Sequence, residues 1–90
     1  MAMSAEELAR LGALVDALKG QGADAMAYGI SRLLPHITTR RCDASDVLEE
    51  PYVSNEACDV HLLDASGHCI RVTDEPGEAN AILIAERTSP

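Results

Sequence analysis

C-D-V-H-L-L-D-A-S-G-H-C-I-R-V-T, residues 58–73, is the stretch whose reading decides the fold. Two short runs alternate apolar and polar side chains, Cys58–Leu63 and Cys69–Thr73. Asp64-Ala65-Ser66-Gly67 between them matches a type I turn with Gly67 at the left-handed bulge position. The pattern predicts a β-hairpin. In this register Asp64 pairs with His68, Leu63 with Cys69, Leu62 with Ile70, His61 with Arg71 and Val60 with Val72. Paired residues share a face, and successive residues alternate between faces. One face then carries Cys58, Val60, Leu62, Ile70 and Val72. The other carries Asp59, His61, Leu63, Cys69, Arg71 and Thr73.

Working outward, Asp74-Glu75-Pro76-Gly77-Glu78 reads as a second turn, and Ala79–Glu86 as a third strand. That strand adds Ile82 and Ile84 to the first face and Leu83 to the second. Upstream, His36–Cys42 is β-branched and alternating, which predicts a further strand. Residues 43–56 are acidic and broken by Pro51; they read as a loop with one helical turn near Ala44–Leu48. Before them lie two helices. Ser4-Ala5-Glu6-Glu7 is a capping box with Met3 and Leu8 at the staple positions. Leu8, Leu11, Val15 and Leu18 follow at helical spacing, and Gly20 supplies a stop, so the first helix is placed at 5–19. Met26, Ala27, Ile30, Leu33 and Leu34 mark one face of a second helix, ended by Pro35. Residues 87–90 are a tail. The expected architecture is one α+β domain over residues 1–90. A helical hairpin packs on one face of a three- or four-stranded antiparallel β-meander, in the order ααββββ.

Composition narrows the function. Among 90 residues Tyr28 and Tyr52 are the only aromatics, so the core is built from Leu, Ile, Val, Ala and Met. Interface anchors favour aromatic residues and arginine. The net charge of −8 opposes nucleic acid and anionic membranes as partners. From Cys42 to Ile70 there are seven acids and no Lys or Arg, while Arg32, Arg40 and Arg41 cluster just before. Such a run is ordinarily a solvated face; its functional reading is an acidic surface for a basic partner. Cys42, Cys58 and Cys69 are an odd number, and Met1–Ser4 leads straight into an acidic helix with no signal segment or membrane-length run. A reduced cytoplasmic setting is expected, with buried free thiols as the plain reading of all three.

The hairpin concentrates reactive residue types: His61, Asp64, Ser66, His68, Cys69 and Arg71 lie within twelve positions. A structural zinc site needs three or four ligands converging about 2.0–2.3 Å from one point. The register above sets His61 and His68 on opposite faces, with Cys58 inward and Cys69 outward. There is no C-x2-C and no H-x3-H spacing. A register slip of one residue exchanges faces within one strand, which keeps a metal set of His61, His68 and Cys69 open as an alternative. Ser66 sits in a turn where serine is ordinary. His61 and Cys69, with Asp59 nearby, are the one same-face nucleophile-and-base pair, and nothing but Arg71 favours a thiolate there. His36 follows Pro35 at a helix-to-strand junction, a structural position. No glycine loop follows a strand to cradle phosphate.

A further guide comes from motif likeness. Leu34-Pro35-His36-Ile37-Thr38 through Cys42-Asp43, then Val60-His61-Leu62-Leu63-Asp64, Gly67-His68-Cys69-Ile70 and Ala81-Ile82-Leu83-Ile84-Ala85 resemble a group of small uncharacterised bacterial proteins found among nitrogen-fixation genes. In that group a strand ending in Asp, a turn, a His-Cys pair and a last small-residue strand recur. The likeness covers roughly half to two-thirds of the chain. Cys58-Asp59-Val60 stands where the group has an aromatic residue. The resemblance implies an accessory role beside a metalloenzyme system, by association, and no catalytic residues.

The expectation is therefore a small acidic accessory protein that binds another protein or itself, without catalysis and without a cofactor. Glu49, Glu50, Tyr52, Leu63, Arg71 and Leu83 are the expected contact residues. The alternative is a metal- or redox-responsive module using Cys69, His61 and His68, assembled across a dimer.

Overall fold

The computed structural model describes residues 3–67 and 69–87. Helix α1 spans Ala5–Ala17. The Ser4 hydroxyl accepts from the Glu7 amide at 3.1 Å, and the Glu7 carboxylate accepts from the Ser4 amide at 2.8 Å, so the capping box forms as the spacing predicts. The helix ends two residues earlier than expected, at Ala17, and Gly20 then turns the chain at φ +86°. Helix α2 spans Ala23–Leu33. Leu11 and Val15 of α1 and Ala23, Met26 and Ile30 of α2 are buried against one face of a sheet. Salt-bridge distance separates His36 Nε2 from the Glu7 carboxylate, at 2.8 Å, which ties the end of the second helix to the start of the first.

The sheet is mixed, not an antiparallel meander. It has five strands: β1 (Thr38–Asp43), β2 (Val53–Ser54), β3 (Cys58–Asp64), β4 (Arg71–Thr73) and β5 (Ala81–Glu86). Their order is β1-β5-β3-β2, with β4 also pairing β3. β5 runs parallel to β1 and antiparallel to β3. The last strand is thus central. The reason is its composition. Ala81-Ile82-Leu83-Ile84-Ala85 is apolar at every position, a sequence suited to burial on both faces rather than to a sheet edge. Pro76–Glu78 forms a short 3-10 turn that carries the chain past β4 to the far side of β3.

The hairpin is looser than the turn residues predict. Asp64 pairs with Arg71, Leu63 with Val72 and Leu62 with Thr73. Relative to the expected register, the second strand slides by three residues, and an odd slide exchanges its faces. Thr73 is buried on the helix side, Val72 is on the other side, and Ile70 lies outside the strand, 43% exposed. Asp64 explains the longer connection. Its carboxylate accepts from the Ser66 amide at 2.9 Å and from the Ser66 hydroxyl, an Asx turn that carries the chain away from the tight path. Asn80 holds the same corner by accepting from the Ala65 amide at 2.8 Å. Among the described residues only Gly20 has positive φ, so Gly67 does not supply a left-handed bulge. His68, expected opposite Asp64, lies outside the described residues.

The first strand behaves as expected for Cys58, Val60 and Leu62, which pack under the helices with Ile82 and Ile84. β2 lies within residues 43–56, which read as a loop in the sequence. It joins β3 through a turn built on Asn55, whose side-chain oxygen accepts from the Ala57 and Cys58 amides, both at 2.9 Å. The Asn55 amide nitrogen donates to the Val15 carbonyl at 3.0 Å, which locks the turn to α1.

Candidate functional site

β1 ends on one side of the sheet and β2 begins on the other. The intervening segment, with a 3-10 turn at Ala44–Asp46, passes over the face that the helices leave open. Asp46, Val47 and Glu49 share a hollow of about 400 Å³ there with Arg40, Leu63 and Leu83. The face opposite the helices is therefore partly overlaid by this segment. Leu63 is only 3% exposed and His61 only 2%. Leu63 forms the floor of an open hollow and is itself buried.

The same crossing creates a second feature. One edge of β3 is taken by β5. The other edge is shared end to end: β2 pairs with Asp59 and Val60, and β4 pairs with Leu62, Leu63 and Asp64. The Tyr52 amide still donates to the Val60 carbonyl at 2.9 Å, and then the chain departs. β4 departs from the same place in the opposite sense. Between the two lies a cleft of about 560 Å³.

Its lining is unequal in charge. Glu49 and Glu50 come from the crossing segment, and Asp74, Glu75 and Glu78 from the turn after β4. Against these five carboxylates stands one guanidinium, Arg71. Arg71 is already engaged: it donates to Asp64 at 3.0 Å and to Glu78 at 3.4 Å. Thr73 donates to Glu78 at 3.1 Å, which fixes that carboxylate. Glu49, Glu50, Asp74 and Glu75 make no ion pair among the described residues. Tyr52, Leu62 and Val72 supply the apolar part of the wall. The Asp64 carboxyl is held below its ordinary range by the Ser66 hydroxyl and amide, then by the Arg71 charge. It stays ionised and keeps Arg71 pinned.

Of the expected contact residues, Glu49, Glu50, Tyr52 and Arg71 meet in this cleft. Glu49 and Arg71 also border the outer hollow with Leu63 and Leu83. Thr73, Asp74, Glu75 and Glu78 escaped the sequence reading. The acids of residues 74–78 are visible as a charge run, but only the split edge of β3 brings them opposite Glu49 and Glu50.

The alternative metal set is not assembled by the described residues. His61 is buried at mid-strand, and its Nδ1 has no hydrogen-bond partner. Cys69 is exposed, beyond the strands, and no longer opposite Leu63. Among the described residues no three His, Cys, Asp or Glu side chains are grouped to hold a metal ion. The thiols differ. Cys58 is buried, Cys42 half-buried and Cys69 exposed, so the expectation of three buried thiols fails at Cys69. Burial pushes the Cys58 thiol up, with Glu86 adding to it; burial also pushes Cys42 up, assisted by Asp46 and Asp43. Neither is poised as a thiolate.

No helix among the described residues is long and apolar enough to cross a membrane. No protein-family model matches the chain, and neither the curated proteins nor the solved structures contain a match.

Proposed function

We propose that this protein is a non-catalytic protein-binding module, and that the cleft between residues 49–52 and 71–78 receives a basic segment of its partner. The observation that carries this reading is the cleft itself, about 560 Å³ in volume with five carboxylates, one engaged arginine and Tyr52 in its wall. A lysine or arginine entering it meets unpaired carboxylates from two sides. Opposite charges about 4 Å apart attract by about 4 kcal/mol at an effective dielectric near 20, before desolvation is subtracted. Tyr52 offers a ring face for a guanidinium. An accessory role beside a metalloenzyme system fits this reading through the motif likeness alone.

The test is affinity capture from lysate with three baits: wild type, Glu49→Lys/Glu50→Lys, and Asp74→Lys/Glu75→Lys. All four positions are exposed, so the variants keep the fold. The reading predicts a stoichiometric partner on wild type that both reversals release. A partner retained equally by all three baits places the binding surface elsewhere.

A further inference from the structure

The sheet has a second unused feature, at its opposite margin. β1 pairs with β5 along one side only, so its other edge is open for six residues, Thr38–Asp43. Outside the β5 ladder, and apart from the Asp43 carbonyl that opens the 3-10 turn, no backbone hydrogen bond engages these residues among those described. An exposed edge of this length is a template for another strand. The far margin of the sheet is different, because β2 and β4 break it into pieces of two and three residues.

β1 carries two arginines, Arg40 and Arg41, against one acid, Asp43 at its end. Arg40 lies on the outer face opposite Leu83 and has no ion-pair partner among the described residues. Arg41 lies on the helix face opposite Ile84 and bonds Asp24 of α2 at 2.6 Å. That contact shows which side of α2 borders the edge. Tyr28 and Arg32 stand one and two turns along the same side, with the Arg32 guanidinium 5.9 Å from the Tyr28 ring centre. Tyr28 is 67% exposed. Three of the seven basic residues of a chain with net charge −8 thus surround one strand edge.

We infer that the open edge of β1 is a docking site for an extended acidic segment of another protein, added to the sheet as a sixth strand. Main-chain hydrogen bonds supply the attachment, and alternate side chains supply the selection. Because Arg40 and Arg41 point to opposite faces, the favoured segment carries two adjacent acids, one facing Arg40 and one taking the place of Asp24 on Arg41. A second copy of this chain fits poorly. The two-fold antiparallel registers that pair nearly all of β1 with its own copy set Arg40 against Arg40 or Arg41 against Arg41, and like charges directly opposite are destabilising. This surface is distinct from the acidic cleft, which repels the same ligand.

The test uses isotope-labelled full-length protein and three synthetic peptides. The first has two adjacent glutamates flanked by valine and threonine. The second carries lysines in place of the glutamates. The third is the glutamate peptide N-methylated along one edge. The inference predicts that the glutamate peptide protects alternate amides within residues 38–43 from exchange. The lysine and N-methylated peptides fail to do so. It also predicts that Arg40→Glu/Arg41→Glu weakens the glutamate peptide at least tenfold and accepts the lysine peptide, with unchanged circular dichroism. Three results overturn it: no protection of residues 38–43 by the glutamate peptide, equal protection by the lysine peptide, or a free protein of dimer mass whose residues 38–43 are already protected.

Discussion

Leu62→Ala and Ile70→Ala, measured side by side, separate the two registers of the central hairpin. A tight Asp64–Gly67 turn places both residues in the core as direct neighbours. The structure keeps Leu62 fully buried, opposite Thr73, and leaves Ile70 43% exposed beyond the strand. Truncating Leu62 removes three carbons from a packed interior. At about 0.8 kcal/mol per buried carbon the transfer loss alone is about 2.4 kcal/mol, and the unfilled cavity brings the expected cost to about 3–5 kcal/mol. Ile70→Ala leaves no enclosed cavity, so its expected cost is below about 1 kcal/mol. A domain of this size has about 5–13 kcal/mol in total, so Leu62→Ala takes a large share of it. The melting temperature should fall by more than about 12 °C for Leu62→Ala and by less than about 8 °C for Ile70→Ala. Urea titrations followed at 222 nm read both. An Ile70→Ala loss as large as that of Leu62→Ala refutes the register and restores the tight hairpin.

Other consequences are open to the same methods. Asn55→Ala strips two backbone amides and the Val15 carbonyl of their partner. It should cost about 1–3 kcal/mol in a urea titration, although Asn55 looks like an ordinary turn residue. The Asp64 carboxyl is depressed when folded, so its contribution is fully present above the ordinary aspartate value of 3.8 and is lost as pH falls through the lower folded value. Wild type should therefore exceed Asp64→Asn in stability at pH 7, and the gap should narrow as pH falls below 3.8; a gap independent of pH contradicts the pairing. With a thiol reagent, Cys69 should react first, Cys42 more slowly and Cys58 only on unfolding, as mass mapping of the labelled sites would show.

Local signals were legible and long-range ones were not. The Ser4–Glu7 box, the Leu11/Val15 stripe and Pro35 marked the helices within two residues, because caps and periodicity act within one or two turns. The inward set Cys58, Val60, Leu62, Ile82 and Ile84 followed from alternation alone. Topology did not follow, because nothing local in Pro76-Gly77 says that the chain must pass β3 before pairing. The unbroken apolar run Ala81–Ala85 was the available clue to a central strand. The hairpin register failed for a different reason. Asp64-Ala65-Ser66-Gly67 fits a tight turn on propensity, but in the longer loop Asp64 bonds Ser66 and, across the strands, Arg71. Of the candidate site, Glu49, Glu50, Tyr52 and Arg71 were readable as charge and aromatic anchors. Their convergence with Asp74, Glu75 and Glu78 depends on β2 and β4 sharing one edge of β3, which no sequence period encodes.

The measurement that tests the central claim most directly is a chemical-shift titration of the isotope-labelled protein with a short arginine-containing peptide at low and physiological salt. The account predicts saturable shifts confined to Glu49–Tyr52 and Arg71–Glu78, weakened by salt and abolished in Glu49→Lys/Glu50→Lys. Shifts absent from those residues, or spread evenly over all the acidic surface and unchanged in that variant, would contradict it.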